Sequence, residues 1–331
     1  MITIPNRRMA TVVSAVALGV GVVTAALCLG EPSVSPLTAW AAALDAGHAA
    51  HVVVAEVRLP RALLAVVAGG GLAATGVLLQ DALRNPVAGP ELLGVSSGAA
   101  VVVATIVVLG LGVPLELQVW AALGGALLAG SLVLLAIGRT RHPDAIVLVG
   151  AAVSAACGGL VVAVVGLGTQ GDVVVLFRYL LGSLAARGWP AVETVAPVVG
   201  AGLVGAWFLR RRVEALTLGD DVATGLGVPV AVTRSASVGL AAVVAAAVAA
   251  VCGPIAFVAL LAPHLARTLG RTTRTSQVLP MAVLIGAVLL ASADLVSRLL
   301  LYPVELPVGI ATTLVGVPAL VLLRRRAGVT P

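Results

Sequence analysis

The feature that most limits the fold of this chain is a succession of long apolar runs, each nearly free of charge. Most have about 18 to 25 residues, the length that a helix needs to cross about 30 Å of hydrocarbon. A segment in lipid must satisfy its backbone hydrogen bonds internally, and the runs lack the short alternating pattern of barrel strands, so we expect helices. Ten spans are predicted, at residues 10–30, 58–80, 92–110, 114–137, 144–168, 190–209, 231–251, 254–269, 279–300 and 306–323.

Composition agrees with a protein that lies almost entirely in the membrane. Of the 331 residues, 60% are hydrophobic and 10% are charged, and the mean hydropathy is +1.15. Soluble domains carry about 25% charged residues. We therefore predict an all-α integral membrane protein of the cell membrane, with a single transmembrane domain over residues 1–331 and no role in nucleic-acid binding.

The first and the eighth predicted spans differ from a simple membrane-spanning helix. The first follows Arg7 and Arg8 and could resemble a signal peptide, but its apolar run is too long and lacks a clear cleavage site, so we interpret it as a membrane span. The eighth is short and contains Pro254 and Pro263. We expect this helix to be broken or partly buried.

The basic residues predict the orientation of the chain. All 20 are arginines, and with the N-terminus inside, fifteen of them fall on the cytoplasmic side of the ten-span arrangement. This excess is the positive-inside pattern of membrane proteins, and it places both termini in the cytoplasm. The five arginines predicted to lie outside are Arg58, Arg61, Arg178, Arg187 and Arg298.

Catalytic motifs are absent from the sequence. Without lysine the chain cannot form a Walker A phosphate-binding loop, so any ATP hydrolysis must be carried out by another subunit. The sequence has no HExxH or GxSxG motif and no clustered Cys and His, and its three cysteines are widely separated within spans. We predict no catalytic residues, no metal site and no cofactor bound by this chain.

Two kinds of transporter are compatible with these features. A self-contained ion-coupled carrier needs ionisable groups near the middle of the membrane, whereas a transport subunit driven by a partner does not. The span interiors are almost free of charge, with Asp294 as the main exception. Since Asp294 lies four residues before Arg298, the simplest interpretation is a pair within one helix. This favours the partner-driven subunit and leaves the carrier as the alternative.

The longest polar cytoplasmic segment, residues 210–234, joins spans six and seven. Apolar residues between Leu216 and Leu226 recur at helical spacing beside Asp220 and Asp221, and Pro229 limits the helix downstream. A solvated loop is one interpretation. A short surface helix with an apolar face indicates a docking site for a partner protein.

Several sequence blocks together resemble the FecCD family, the membrane permeases of type II ABC importers for iron siderophores, haem and vitamin B12. The resemblance runs in order from about Arg58 to Arg326. The blocks are RLPRALLAVVAGGGLAATGVLLQDALRNPVAGPELLGVSSGAA, LLGSLAARGW, LGDDVATGLGV, GPIAFVALLAPHLAR, ADLVSR and ELPVGIATTLVGVPALVLLRRR.

The resemblance implies a ten-helix permease that works as a homodimer or a heterodimer with a related permease. Its partners would be two ABC ATPase subunits, which use ATP and Mg²⁺, and an extracytoplasmic substrate-binding protein. The cytoplasmic coupling segment would lie at residues 213–228. The residues implied to contact the ATPase are Leu216, Gly219, Asp220, Asp221, Ala223, Leu226 and Gly227.

The family also implies a role for three outer arginines. Arg58, Arg61 and Arg298 would receive carboxylates of the binding protein, a task that suits the two parallel hydrogen bonds of a guanidinium. Interaction with lipid headgroups is the alternative, since any arginine near a helix end can reach the membrane surface.

The translocation path implied by the resemblance follows the fifth span along the dimer axis. This span is rich in Gly, Ala and Ser, which allow either close helix packing or a smooth conduit. The candidate path and gate residues are His142, Pro143, Gly150, Ser154 and Gly158. Ferric siderophores are the expected cargo, with vitamin B12 and haem as alternatives.

Overall fold

The computed structural model describes residues 7–137 and 143–326, and in this part of the chain the regular structure is helical. We number the α-helices in chain order. They are α1 (Arg7–Cys28), α2 (Pro36–Leu44), α3 (Leu59–Ala82), α4 (Val95–Val108), α5 (Leu115–Ile137), α6 (Pro143–Val165), α7 (Gln170–Leu180), α8 (Trp189–Leu216), α9 (Asp220–Gly225), α10 (Val230–Cys252), α11 (Val258–Gly270), α12 (Thr275–Leu299) and α13 (Val308–Arg326).

Each of the ten predicted spans coincides with one of these helices. Among the described residues, seven helical stretches are long and apolar enough to cross a membrane, whereas α4 and α11, with 14 and 13 residues, are shorter. Ten crossings and cytoplasmic termini therefore stay predictions. The eighth span is partly buried, as predicted, but its helix is not broken: residues 253–257 are not helical, α11 begins after Phe257, whose φ is +69°, and it then continues through Pro263 to Gly270.

Helix α3 forms the centre of the bundle. A π-helical turn, Val52–Arg58, leads into it, and 20 of the 24 residues of α3 are buried. It packs on α8, α10, α11 and α12. Glycines permit this, because a Cβ at Gly69 would overlap the backbone of Gly286, and one at Gly76 would overlap the carbonyl of Ala259.

Other helices present most of their surface outward. In the most apolar stretch of α6 only 11% of the residues are buried, compared with 72% in that of α10. Helices α4 and α5 pack between them. An apolar helix with so little of its surface covered is suited to contact with lipid or with another protein chain.

Three parts of the structure differ from the predicted element boundaries. Helix α8 continues to Leu216, beyond the predicted end at 209, so the predicted surface segment contributes one short helix, α9. Helices α2 and α7 had not been predicted. A local signal for α7 exists in the sequence, because Thr169 and Asp172 form a capping box at its start. The backbone N–H and hydroxyl of Thr169 donate to the Asp172 carboxylate and lower the pKa of that group.

Candidate functional site

Arg61 lies in an ion-pair cluster at one end of the bundle, which we call the outer end after its predicted location. Its Nη2 is 2.9 Å from Oδ1 of Asp294 on α12, and its Nη1 is 2.9 Å from Oε2 of Glu305. Arg61 is 8% exposed and Asp294 is 2% exposed. A buried charge requires a paired counter-charge, and the two carboxylates supply it.

The other two candidate docking arginines bond to the backbone at the end of α1. Nη1 of Arg58 donates to the carbonyl of Leu27 at 2.9 Å, and its Nη2 donates to the carbonyl of Pro32 at 2.8 Å. Nη2 of Arg298 donates to the carbonyls of Ala26 and Leu29 at 3.0 and 3.1 Å. The carbonyls of Ala26 and Leu27 belong to the last turn of α1, where the helix leaves carbonyls without an intrahelical partner, whereas Leu29 and Pro32 follow the helix.

Arg58, Arg61 and Arg298 thus all have hydrogen-bond partners inside the same chain, and their role in docking a binding protein stays a prediction. Arg58 and Arg61 are buried, whereas Arg298 is half-buried. The predicted pairing of Asp294 with Arg298 is wrong, because Asp294 pairs with Arg61 instead. Nε and Nη2 of Arg61 both donate to the carboxylate of Asp294, and hydrogen bonds between a guanidinium and a carboxylate are strongest in such paired arrangements.

The opposite end of α3, the inner end, carries a second polar cluster. Asp81 accepts from Nη2 of Arg267 on α11 at 2.8 Å and from the hydroxyl of Thr275 on α12 at 2.7 Å. Nη1 of Arg267 also donates to Oε1 of Gln80 at 2.6 Å. This cluster holds the ends of α3, α11 and α12 together. No pattern in the sequence had identified Gln80, Asp81 or Thr275 as partners.

The short helix α9 lies beside this cluster. Nη2 of Arg234 donates to both carboxylate oxygens of Asp220 at 2.9 and 3.1 Å, and Nη2 of Arg84 lies 3.3 Å from Oδ1. Leu216 and Ala223 are buried against Ala82 at the end of α3. On the opposite side, the exposed candidates are Asp221, Leu226 and Gly227, whereas Gly219 is half-buried.

The candidate path residues lie on or beside α6. A Cβ at Gly150 would overlap the carbonyl of Leu92, and the hydroxyl of Ser154 donates to the carbonyl of Glu91 at 3.2 Å. Gly150 and Ser154 therefore pack this helix against the 3₁₀ turn Pro90–Leu93, whereas a Cβ at Gly158 would meet open space. Pro143 begins α6, and His142 lies outside the described residues.

The described residues contain no group of three or more His, Cys, Asp or Glu side chains that could hold a metal ion. Asp81 and Asp294 are buried carboxylates, and each of them is paired with an arginine. Glu91 differs, because its Oε1 is buried and has no hydrogen-bond partner in the described ranges.

A family model named the FecCD transport family matches residues 17–326. The chain belongs to the FecCD transport family. Among relatives, the Fe(3+) dicitrate transport system permease protein FecD of Escherichia coli is 37% identical over 289 residues, covering 87% of this chain and 88% of FecD. The hemin transport system permease protein HmuU of Yersinia pestis is 36% identical over 279 residues, covering 82% of this chain and 83% of HmuU.

Solved structures agree with this family assignment. A transporter of the metal-chelate ABC type, in an inward-facing conformation, superimposes with a TM-score of 0.84 at 28% identity and covers 95% of this chain and 98% of its own. PsaBC from Streptococcus pneumoniae matches with a TM-score of 0.52 at 16% identity over 80% of this chain and 90% of that chain, which supports the fold alone. The resemblance to the FecCD family found in the sequence is confirmed, and this family member is a multi-pass membrane permease.

Proposed function

We propose that this FecCD-family chain is the permease subunit of an ATP-driven importer for ferric siderophores. Two permease chains would form the path, and an extracytoplasmic binding protein would deliver the cargo. Two ATPase subunits, with ATP and Mg²⁺, would drive transport through the coupling segment at residues 213–228. The observation that carries the proposal is α9, a short helix tied to the bundle on one side and exposed on the other, in a family whose relatives include named ferric citrate and hemin permeases.

The inner end supports ATPase docking at α9. Leu226 is 64% exposed, and Leu218 and Val222 are also exposed beside Asp221. An exposed apolar patch on a short amphipathic helix is suited to a groove in a partner protein. Leu216 and Ala223, in contrast, are buried within the chain and hold the segment in place.

At the outer end the three arginines differ in how they could receive a binding protein. Contact of a carboxylate with Arg58 or Arg61 would require displacement of their bonds within the chain. Arg298, like Arg58, bonds to carbonyls, which attract a guanidinium less strongly than a carboxylate does, but it is half-buried whereas Arg58 is buried. We therefore favour Arg298 as the direct contact, with Arg58 and Arg61 shaping the surface around it.

The test is uptake in the source cell with the gene deleted and then restored. The probes are radiolabelled ferric citrate, a ferric catecholate siderophore, haem and cobalamin, measured side by side. We expect selective loss of one or both ferric siderophores. If only the uptake of haem or cobalamin is lost, the chain is still an importer subunit, but ferric siderophores are not its cargo. In the same assay Arg298→Glu should reduce uptake, and an equal loss with Arg178→Glu, an exposed arginine on α7, would contradict a specific contact.

An ion-coupled carrier is the second candidate, favoured by the unpartnered carboxylate oxygen of Glu91. A carrier would continue to transport when the Walker A lysine of the partner ATPase is replaced by alanine. The ATP-driven importer would lose uptake under the same change. The measurement is the initial rate of uptake of whichever probe depends on the gene.

A further inference from the structure

Helix α9 has an inward face and an outward face, and two neighbouring aspartates lie on opposite sides of this division. Asp220 is half-buried and bonds to arginines of the bundle, whereas Asp221 is exposed and has no ion-pair partner among the described residues. The inward face also carries Ala223, which is fully buried, whereas Leu226, directly after the helix, is exposed.

The bonds of Asp220 reach the two most buried helices of the bundle. Arg234, on α10, is 4% exposed and uses one nitrogen for Asp220 while its Nε donates to the carbonyl of Ala82 on α3 at 3.1 Å. Nη2 of Arg84, just after α3, lies 3.3 Å from Oδ1 of Asp220, an oxygen that Arg234 also bonds. A single carboxylate thus joins α9 to both α3 and α10.

The backbone on either side of α9 contributes little to this connection. Gly219 precedes the helix with a φ of +109°, and Gly227 follows it with a φ of +77°. Glycine adopts such angles without steric cost and adds little stiffness to the chain. Within α9 the inward apolar contact is the single methyl group of Ala223, which packs with Leu216 and Ala82. Charge-assisted hydrogen bonds, in contrast, have a defined length and direction.

We propose that Asp220 is a positioning residue that transmits movement of α9 to α3 and α10, while Asp221 belongs to the surface that faces the ATPase. This inference rests on the proposed function. It divides the candidate coupling residues into those that bind the partner and those that carry its movement into the bundle. Replacing Asp220 should leave the ATPase bound but weaken the effect of ATP hydrolysis on transport.

The two adjacent aspartates provide a matched experiment. The variants are Asp220→Asn and Asp221→Asn, together with Asp220→Glu, each placed in the full complex purified through a tag on this chain from the source cell. Three quantities are measured: the amount of Walker-motif ATPase retained per permease, the rate of ATP hydrolysis, and the uptake of radiolabelled ferric citrate, or of the probe identified above, into liposomes with the binding protein enclosed on the correct side.

With Asp220→Asn we expect the ATPase to be retained and uptake per ATP hydrolysed to fall about tenfold, the factor that a hydrogen bond to a charged group is worth. Asp220→Glu keeps the charge and should restore much of this ratio. With Asp221→Asn we expect less retained ATPase, with uptake falling in proportion and the ratio of uptake to ATP unchanged. A purely structural role for Asp220 would lower the yield of folded complex without changing that ratio.

Two results would overturn the inference. One is an unchanged ratio of uptake to hydrolysis in Asp220→Asn, and the other is a loss of ATPase in that variant equal to the loss in Asp221→Asn. If Asp220→Asn does not fold, Arg234→Lys is measured in the same way. It keeps the positive charge but replaces the two guanidinium nitrogens that bond Asp220 and the carbonyl of Ala82 with a single ammonium group, and an unchanged ratio there would also overturn the inference. If the unaltered chain retains no ATPase, the proposed function fails instead.

Discussion

The two ends of α3 both carry buried charges, but they are built differently. At the outer end, Arg61 is enclosed by carboxylates from α12 and the loop after it, and both Arg61 and Asp294 are almost fully buried. At the inner end, partners come from α9, α10, α11 and α12, and the side chains of Arg84 and Asp220 are 40% and 35% exposed.

This difference indicates different mechanical roles. A fully desolvated pair is costly to separate, because each charge left alone in the interior has no compensation. A half-exposed pair can be replaced by water at little cost. The outer cluster therefore acts as a fixed connection between α3 and α12. At the inner end the half-exposed contact of Arg84 can be replaced by water, whereas the bonds of buried Arg234 keep α9 connected to α3 and α10.

The largest effect is expected from opening the outer cluster. Asp294→Ala should lower the free energy of unfolding by about 3–5 kcal/mol, because it leaves Arg61 buried without its closest counter-charge. The measurement is unfolding of the purified chain by sodium dodecyl sulfate in mixed micelles. Glu305→Ala is the control, since its side chain is 42% exposed, and it should cost about 1 kcal/mol or less. Equal losses in the two variants would show that burial does not distinguish the two carboxylates.

An intermediate effect is expected in the inner half of α3, where this helix lies against α11. Gly76→Ala should destabilise the chain by about 1–3 kcal/mol, since the added methyl group would overlap the carbonyl of Ala259. Gly124→Ala on α5 is the matched control, because its Cβ would meet open space. There the better helix propensity of alanine should leave stability unchanged or raise it by up to about 1 kcal/mol. The same unfolding assay measures both, and a stable Gly76→Ala variant would contradict the close packing of α3.

The helices of this bundle could be predicted from the sequence because a membrane leaves few alternatives. A run of about 20 apolar residues must form a helix to satisfy its own backbone, and each predicted span coincides with one. The family could also be identified, because its motifs are local stretches of sequence. Helix α7 was missed because it is short and lies between spans, although its capping box is a local signal.

The partners of the charged residues could not be predicted in the same way. Local spacing indicated Arg298 as the partner of Asp294, but the actual partner, Arg61, lies 233 residues away in sequence. Such a contact depends on which helices are neighbours, and the spacing of residues within one helix does not contain that information. For the same reason the two faces of α9 emerged only when Arg84 and Arg234 were located beside Asp220.

The smallest effect is expected from the half-exposed pair of the inner cluster. Arg84→Gln should change the free energy of unfolding by only about 0.2–1 kcal/mol, because water replaces the lost contact and Arg234 still bonds Asp220. The difference should also shrink in 1 M salt, where the screening length falls to about 3 Å. Unfolding in mixed micelles at low and high salt measures both quantities. A loss as large as that of Asp294→Ala would mean that the contact of Arg84 with Asp220 is as costly to break as the buried pair at the outer end, and that exposure does not distinguish the two clusters.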